Sequence, residues 1–240
     1  MATRTRRSQR RTEALSRERI VETAVEVLDA SGEGGLTFRV LTERLATGPG
    51  AIYWHVANKG ELLDAATDAV VAAALAIEPA EDTDGPQDGV RAVALGLFDA
   101  IEEHPWLATQ LATQLARSPW QTVTPRIFES VGRQVQALGV AQGSWFTATS
   151  ALVHYILGAA GQNAANTASG RDLGPDADRG EFLDGVSRAW EGLDPDEFPF
   201  TRAVADQLRD HDDREQFLAG ITLILAGITE GITAGRPLSA

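Results

Sequence analysis

Gly35-Leu36-Thr37-Phe38-Arg39-Val40-Leu41-Thr42-Glu43-Arg44-Leu45, followed by Ala46-Thr47-Gly48-Pro49-Gly50-Ala51-Ile52-Tyr53-Trp54-His55-Val56-Ala57-Asn58-Lys59-Gly60-Glu61-Leu62-Leu63, carries the pattern from which the rest of the chain is understood. Thr37 can cap a short helix whose buried face is Phe38, Leu41 and Leu45. The chain then breaks at Thr47-Gly48-Pro49-Gly50. Pro49 suits the first turn of another short helix, and Ile52 and Val56, four apart, share one face of it. Asn58-Lys59-Gly60-Glu61 has the form of a capping box opening a longer helix over 59–77. Upstream, Ser16 caps a helix with Ile20, Ala24, Val27 and Leu28 on one face, until Gly32 offers a stop. Two short helices joined by a tight turn, with another packed behind, predict a helix-turn-helix module.

Charge divides the chain in the same place. The formal net charge is -13, which by itself counts against a polyanionic partner, because phosphate binding depends on Lys and Arg displacing counterions. Residues 1–60, however, carry 10 Lys+Arg against 7 Asp+Glu, so the acidity belongs to residues 61–240. Residues 1–14, with Arg4, Arg6, Arg7, Arg10 and Arg11 among small polar residues, are too polar to pack and form a basic arm. The sequence contains no cysteine, which excludes disulfides, Cys-ligated metal and a thiol nucleophile. No cofactor fingerprint or metal-ligand spacing is present. The longest wholly apolar run, Ala69 to Ile77, is too short for a membrane span, and no apolar leader follows the first arginines, so a cytoplasmic protein without membrane partners is expected.

Beyond Ile77, Glu78 to Gln87 reads as a loop rich in Pro, Asp and Gly. Helical periodicity then predicts helices near 88–103, 105–116, 122–138, 143–168, 180–191, 198–210 and 214–234, with 169–178 as polar loop. The expected architecture is all-α: an N-terminal three-helix domain over 15–62 and a larger helical bundle over 63–240. Helices 143–168 and 214–234 are apolar nearly all round and hold many small residues. Either both lie in one core, or they form the interface of a homodimer through Leu152, Ile156, Ala160 and Ala164 with Phe217, Ile221, Leu225 and Ile228. The dimer is the expected arrangement.

The stretch from Gly35 to Leu63, above all Tyr53-Trp54-His55-Val56 with Asn58-Lys59 and Leu62-Leu63, resembles the DNA-binding domain of the tetracycline repressor (TetR) family. The resemblance covers residues 16–65; the remainder is similar in helical layout and in a His104-Pro105-Trp106 element. It implies a dimeric transcriptional regulator holding double-stranded palindromic operator DNA, a repressor released by a small, largely apolar effector. By this resemblance Thr47, Gly48, Pro49, Gly50, Ala51 and Tyr53 face the major groove. Trp54, His55 and Lys59 lie toward the backbone, Thr37 and Arg39 meet phosphate or a neighbouring base, and the arm adds Arg4, Arg6 and Arg7. Each has a plainer alternative: Trp54 as part of the core, His55 as a surface histidine, Lys59 as a solvated charge. The helix tip departs from the common family pattern, since Gly48 stands where Ser or Thr is frequent and Gly50 and Ala51 carry no polar group. Specificity would then rest on thymine methyl contact by Ala51, close approach at Gly50, Tyr53, Arg39 and DNA shape.

For the body the resemblance implies a ligand pocket among the helices. Candidate liners are His104, Trp106, Gln110, Gln114, Trp120, Phe128, Trp145, Phe146, His154 and Tyr155, a set of aromatics with a few amides and imidazoles. Core packing is the alternative for each aromatic. A regulator without ligand and an α-helical enzyme are the competing classes. Against the enzyme, the four histidines are far apart and no His-Glu-x-x-His pair occurs.

Overall fold

Ser16 opens the first helix as its pattern requires, its hydroxyl accepting from the Arg19 amide at 3.2 Å. In the computed structural model, which describes residues 15–76, 85–172 and 179–233, this helix, α1, spans Arg17–Gly35. Its path breaks at Gly32, whose φ of 61° lies in the left-handed region. The second helix, α2 (Phe38–Arg44), starts from Thr37, whose hydroxyl accepts from the Val40 amide at 3.2 Å. Only Leu41 of its expected buried face is fully enclosed; Phe38 and Leu45 are half-buried. The turn out of α2 is made by an alanine rather than by the glycines beyond it. Ala46 takes a φ of 50°, its amide bonds the Glu43 carbonyl at 3.4 Å, and the Thr47 amide bonds the Thr42 carbonyl at 3.1 Å. That paired arrangement is one of the two common ways in which a helix ends on a left-handed residue.

The third helix, α3 (Pro49–Tyr53), is a short one with proline in its first turn. Ile52 and Val56 are 0% and 1% exposed, as their spacing predicts. The fourth, α4 (Lys59–Leu75), begins on a variant of the expected capping box. Asn58 accepts from the Glu61 amide at 2.9 Å, but the Glu61 carboxylate reaches one residue further back, to the Ala57 amide at 2.9 Å. The head thus has a core of Ile20, Ala24, Val27, Leu28, Leu36, Leu41, Ile52, Val56, Leu62 and Ala66, all buried. Each large aliphatic side chain among them contributes about 1.5–3 kcal/mol relative to exposure.

The chain divides into two units between Ala66 and Thr67. This lies one turn further into α4 than the boundary expected at residue 62, because Leu62, Leu63 and Ala66 are buried and belong with the head. The second unit contains α5 (Pro86–Glu103), α6 (Trp106–Arg117), α7 (Val123–Ala137), α8 (Trp145–Asp172), α9 (Arg179–Glu191), α10 (Pro199–Val204) and α11 (Asp213–Thr233). Among the described residues there is no strand. In this unit α8 packs on α5, α6, α7 and α11, and a second small group is formed by α9, α10 and the 3-10 turn Ala205–Leu208.

Three expectations change. The helix over 198–210 is a six-residue helix followed by that tighter turn. Its exit is held by Arg209, which donates to Asp184 at 2.9 Å and to Glu191 at 2.7 Å, while Ala205 is fully buried. The helix expected to end at 168 continues to Asp172. Most important, the eight residues expected at a dimer interface are interior to one protomer: Leu152, Ile156, Ala160, Ala164, Phe217, Ile221, Leu225 and Ile228 are all at most 5% exposed. The body uses that face of α8 and α11 for its own core. The arm over 1–14 and most of the loop over 78–87 lie outside the described residues.

Candidate functional site

The segment from Thr47 to Tyr53 presents an uncharged surface built by its neighbours. Gly48, Pro49, Gly50, Ala51 and Tyr53 are exposed and Thr47 is half-buried. The Tyr53 ring, 52% exposed, stacks on Phe38 with centroids 4.5 Å apart and planes 11° from parallel. Phe38 is therefore a platform for a functional side chain, a role that its place in an apolar pattern concealed. Neither Gly48 nor Gly50 is demanded by packing, since a Cβ at either would meet nothing within 4 Å. Both have ordinary negative-φ backbone, so the absence of a side chain is not a conformational need either.

Around this surface several polar groups are engaged. Arg17 donates to the His55 carbonyl at 2.9 Å and to the Glu61 carboxylate at 2.8 Å, tying the start of α1 to the exit of α3 and the start of α4. The Ala57 amide, first, and Arg17, second, hold the Glu61 carboxyl below its ordinary pKa. Lys59 reaches the Glu33 carbonyl at 2.6 Å, just beyond the break in α1. Arg39 pairs with Glu43 at 3.0 Å, and Arg44 with Glu26 at 3.5 Å. The Thr37 hydroxyl is occupied in capping α2. Trp54 is 87% exposed, so it is no part of the core, and His55 is half-buried. Arg17 was not visible in the sequence, because its partners lie 38 and 44 residues away.

In the body the ten candidate liners do not converge on one space. Trp106, Gln110 and Gln114 follow one another on the interior face of α6, at 9%, 8% and 4% exposure. His104 ends α5 with its ring 6.0 Å from that of Trp106. Asn163, also buried, lies on α8, the helix packed on α6. Trp145 donates to the Val140 carbonyl at 2.7 Å, and the Tyr155 hydroxyl donates to the Phe217 carbonyl at 3.1 Å, so both support the framework. Burial raises the Tyr155 pKa. Trp120 and Phe146 are 77% and 75% exposed, His154 is exposed, and Phe128 is half-buried with its ring 6.1 Å from that of Phe146. A solvent-open cleft of about 320 Å³ is lined by Ala72, Leu75, Ala76 and α7 residues including Arg126 and Arg133. Those cations are paired within the chain, to Asp68 and Glu129.

Residues 20–66 match the family described as bacterial regulatory proteins, tetR family, and residues 78–232 that described as tetracyclin repressor-like, C-terminal domain. A TetR transcriptional regulator of Streptomyces coelicolor is 72% identical, and its structure has a TM-score of 0.80 over 90% of this chain and 98% of that one. The tetracycline repressor protein class D of Escherichia coli is 28% identical over 224 residues, 92% of each chain. An HTH-type transcriptional regulator of Saccharopolyspora erythraea is 31% identical over 144 residues, so the match spans 60% of this chain and only 59% of that relative. ActR of Streptomyces coelicolor, solved in complex with actinorhodin, is 25% identical with a TM-score of 0.70 over 90% of this chain and 98% of that one.

Proposed function

The chain belongs to the tetracycline repressor family of DNA-binding transcriptional regulators, and from that premise we propose that it is a homodimeric, cytoplasmic repressor released from a palindromic operator by a small, largely apolar effector. The observation that carries the DNA half of this reading is the Tyr53 ring, half exposed, stacked on Phe38 and adjoining a stretch without protruding side chains. A rigid ring costs little conformational entropy on binding, and bare glycine backbone lets a groove wall approach closely. Base contacts fall to Thr47, Gly48, Pro49, Gly50, Ala51 and Tyr53, with Trp54 and His55 toward the backbone. Thr37, Arg39 and Lys59 lie at the rim toward phosphate while also bonded within the head, Thr37 as the acceptor that caps α2, Arg39 in an exposed pair with Glu43 and Lys59 on the Glu33 carbonyl.

The second protomer docks on the outward faces of α8 and α11. Asp213–Ile232 has a mean hydropathy of 1.3 yet is only 22% buried, with Leu223 75% exposed. Around Leu223 lie the exposed Ala219, Thr222 and Ala226, and on α8 the exposed Ala151, His154, Gly158 and Ala165. Small residues on both helices suit close helix approach between two copies. A tight dimer sets two α3 segments on one palindrome.

The effector site centres on α6, where Trp106, Gln110 and Gln114 put a ring and two amides into an otherwise apolar interior, beside Asn163 on α8. A relative crystallised with actinorhodin supports a body of this fold that takes a small molecule. Occupancy would act through α4, one continuous helix that carries the boundary between head and body. Coupling of this kind typically amounts to about 1–3 kcal/mol, or about 5- to 150-fold in DNA affinity. The regulatory reading contains no catalytic step. The histidines support this, since they are dispersed over the exit of α3, the end of α5, the exposed side of α8 and a pair with Asp213.

Fluorescence anisotropy with a duplex selected by the purified chain from a random-sequence library tests the reading. The wild-type protein is expected to prefer a two-fold symmetric site, and Tyr53→Ala to lose about 10- to 100-fold of that preference. Recovery of no preferred duplex by folded, dimeric protein freed of ligand by refolding would overturn it.

A further inference from the structure

Resting on the DNA-binding reading, we propose that Arg17, which lies outside the segment assigned to DNA, is the positioning residue of the recognition surface. By bridging the His55 carbonyl and the Glu61 carboxylate it sets how α3 is presented to the groove.

The helix α3 has little of its own to hold it in place. Five residues make a single turn, and an isolated turn is unfavourable because its first bond must fix several residues at once. Its N-cap, Gly48, makes no side-chain cap bond, and Ile52 is its one fully buried residue. On the side of α2 the Tyr53 ring rests on Phe38. The exit, residues 54–58, is turn and bend rather than helix and leads directly into α4. Whatever fixes that exit therefore fixes the direction of α3.

Arg17 supplies the tie from another helix. Ser16 caps α1, so Arg17 stands in its first turn with the backbone already set. Its Nη1 donates to the His55 carbonyl at 2.9 Å and to Glu61 Oε1 at 2.8 Å. The second oxygen of the same carboxylate accepts from the Ala57 amide at 2.9 Å, and Asn58 accepts from the Glu61 amide at 2.9 Å. Between His55 and Ala57, Val56 is 1% exposed and anchors the turn in the core. One guanidinium and one carboxylate thus join α1, both sides of the exit turn and the first turn of α4. An exposed ion pair by itself contributes little. Here, however, two of the bonds end on backbone atoms, a carbonyl and an amide whose positions define the turn. A lysine at this position would keep the charge, but its ammonium is shorter in reach, more strongly hydrated and without the planar fork of a guanidinium.

The test follows Arg17→Gln, Arg17→Lys, Glu61→Ala and the double variant Arg17→Gln with Glu61→Ala, each in the full chain, with circular dichroism, urea stability and oligomeric state measured throughout. Amide exchange reports on the turn without DNA. The Trp54 and His55 amides, bonded to the Gly50 and Ile52 carbonyls, should exchange about 10-fold faster in both Arg17 variants, while the Leu45 amide at the end of α2 keeps its wild-type rate. Anisotropy against the selected duplex and a scrambled duplex of equal length, at several NaCl concentrations, reports on recognition. Both Arg17 variants should lose about 10-fold on the selected duplex and less than about 2-fold on the scrambled one. Arg17→Lys should keep the wild-type salt slope. In the Glu61→Ala background, removal of Arg17 should cost about 3-fold or less, because members of one network do not act independently. Full affinity in Arg17→Lys, with the slope of Arg17→Gln reduced by about 0.9, would make Arg17 a phosphate contact and overturn the proposal. Unchanged exchange at Trp54 and His55 would overturn it too, as would equal losses on both duplexes that track urea stability. If the wild type prefers no duplex, the regulator reading fails by itself, and the exchange rates still decide whether Arg17 holds α3.

Discussion

Across the head, Arg17, Lys59 and Glu61 fasten elements by polar bonds, to groups as far as 44 residues away in the chain. In the body, α5, α8 and α11 meet around rings, Phe98 4.6 Å and Tyr155 5.9 Å from Phe217, with fewer polar bonds between them: the Tyr155 hydroxyl to the Phe217 carbonyl at 3.1 Å and Arg214 to Asp99. The first kind of framework fixes which side chains are left on the outside, because caps and carbonyl bonds set the backbone path. The second leaves that choice to helix rotation. When a helix is apolar on every side, composition does not tell the face that meets the protomer's own core from the face that meets a second copy. The head is thus defined by its bonds, the body by its phase.

The largest expected effects probe that phase. Phe217→Ala and Leu225→Ala remove enclosed side chains from α11 and should cost about 3–5 and about 2–5 kcal/mol of protomer stability, read from urea unfolding. Leu223, two residues from Leu225 but 75% exposed, should behave in the opposite way. Leu223→Arg should leave the helical content intact and convert the dimer to monomer, read by sedimentation velocity. A stable dimer in Leu223→Arg, or an unaffected fold in Leu225→Ala, would mean that α11 presents a different face to its neighbour.

A second effect, smaller in energy, separates surface from framework in the head. Gly50→Ala adds a methyl into open space and, inside a helix, favours folding, so thermal stability should hold or rise slightly. Affinity for the selected duplex should nevertheless fall by about 10-fold, or about 1.4 kcal/mol, if the backbone approaches a groove wall at this point. Equal affinity would remove close approach at Gly50 from the account and leave Tyr53 and Ala51 to carry the recognition.

Much of the head was legible because its signals are stereochemical. Ser16 and Thr37 cap where their hydroxyls predict, Pro49 begins α3, and Ile52 and Val56 are enclosed. What escaped were long-range partners: Arg17 on the His55 carbonyl, and Phe38 as the support of Tyr53. In the body the helices were legible to within a few residues, but their rotation was not. The apolar residues at Leu152, Ile156, Phe217 and Ile221 marked the strongest stripe, and the strongest stripe belongs to the larger contact, the protomer's own core. The candidate pocket is similar, since composition does not tell a tryptophan enclosed on a helix, like Trp106, from one exposed in the turn that follows it, like Trp120.

The turn between α2 and α3 offers a gain rather than a loss. Ala46 holds a left-handed conformation that costs an L residue about 1–2 kcal/mol, whereas glycine adopts it without a Cβ clash. Ala46→Gly should therefore stabilise the head, by less than about 1 kcal/mol once the greater freedom of glycine in the unfolded chain is counted. Differential scanning fluorimetry of the full chain, together with amide exchange in α2, measures it. A decrease in stability would show that the turn is held by side-chain packing rather than by its two backbone bonds.

The smallest effect concerns pH. The Glu61 carboxyl lies below its ordinary pKa because the folded head gives it the Ala57 amide and the Arg17 guanidinium, partners that the unfolded chain lacks. A group depressed in this way stabilises the fold fully above its unfolded pKa, and the contribution disappears as pH falls through the lower, folded value. Exchange protection of the Ala57 amide should accordingly be level at about pH 6 and decline toward about pH 3, after correction for intrinsic exchange. Glu61→Gln keeps an acceptor for that amide but cannot titrate. Its protection should be lower than the wild type at the upper end and nearly flat across the range, converging with the wild type on the acid side. Parallel declines in both proteins would assign the acid sensitivity to another carboxylate, leaving the bonds between α1, α3 and α4 as a matter of geometry rather than charge.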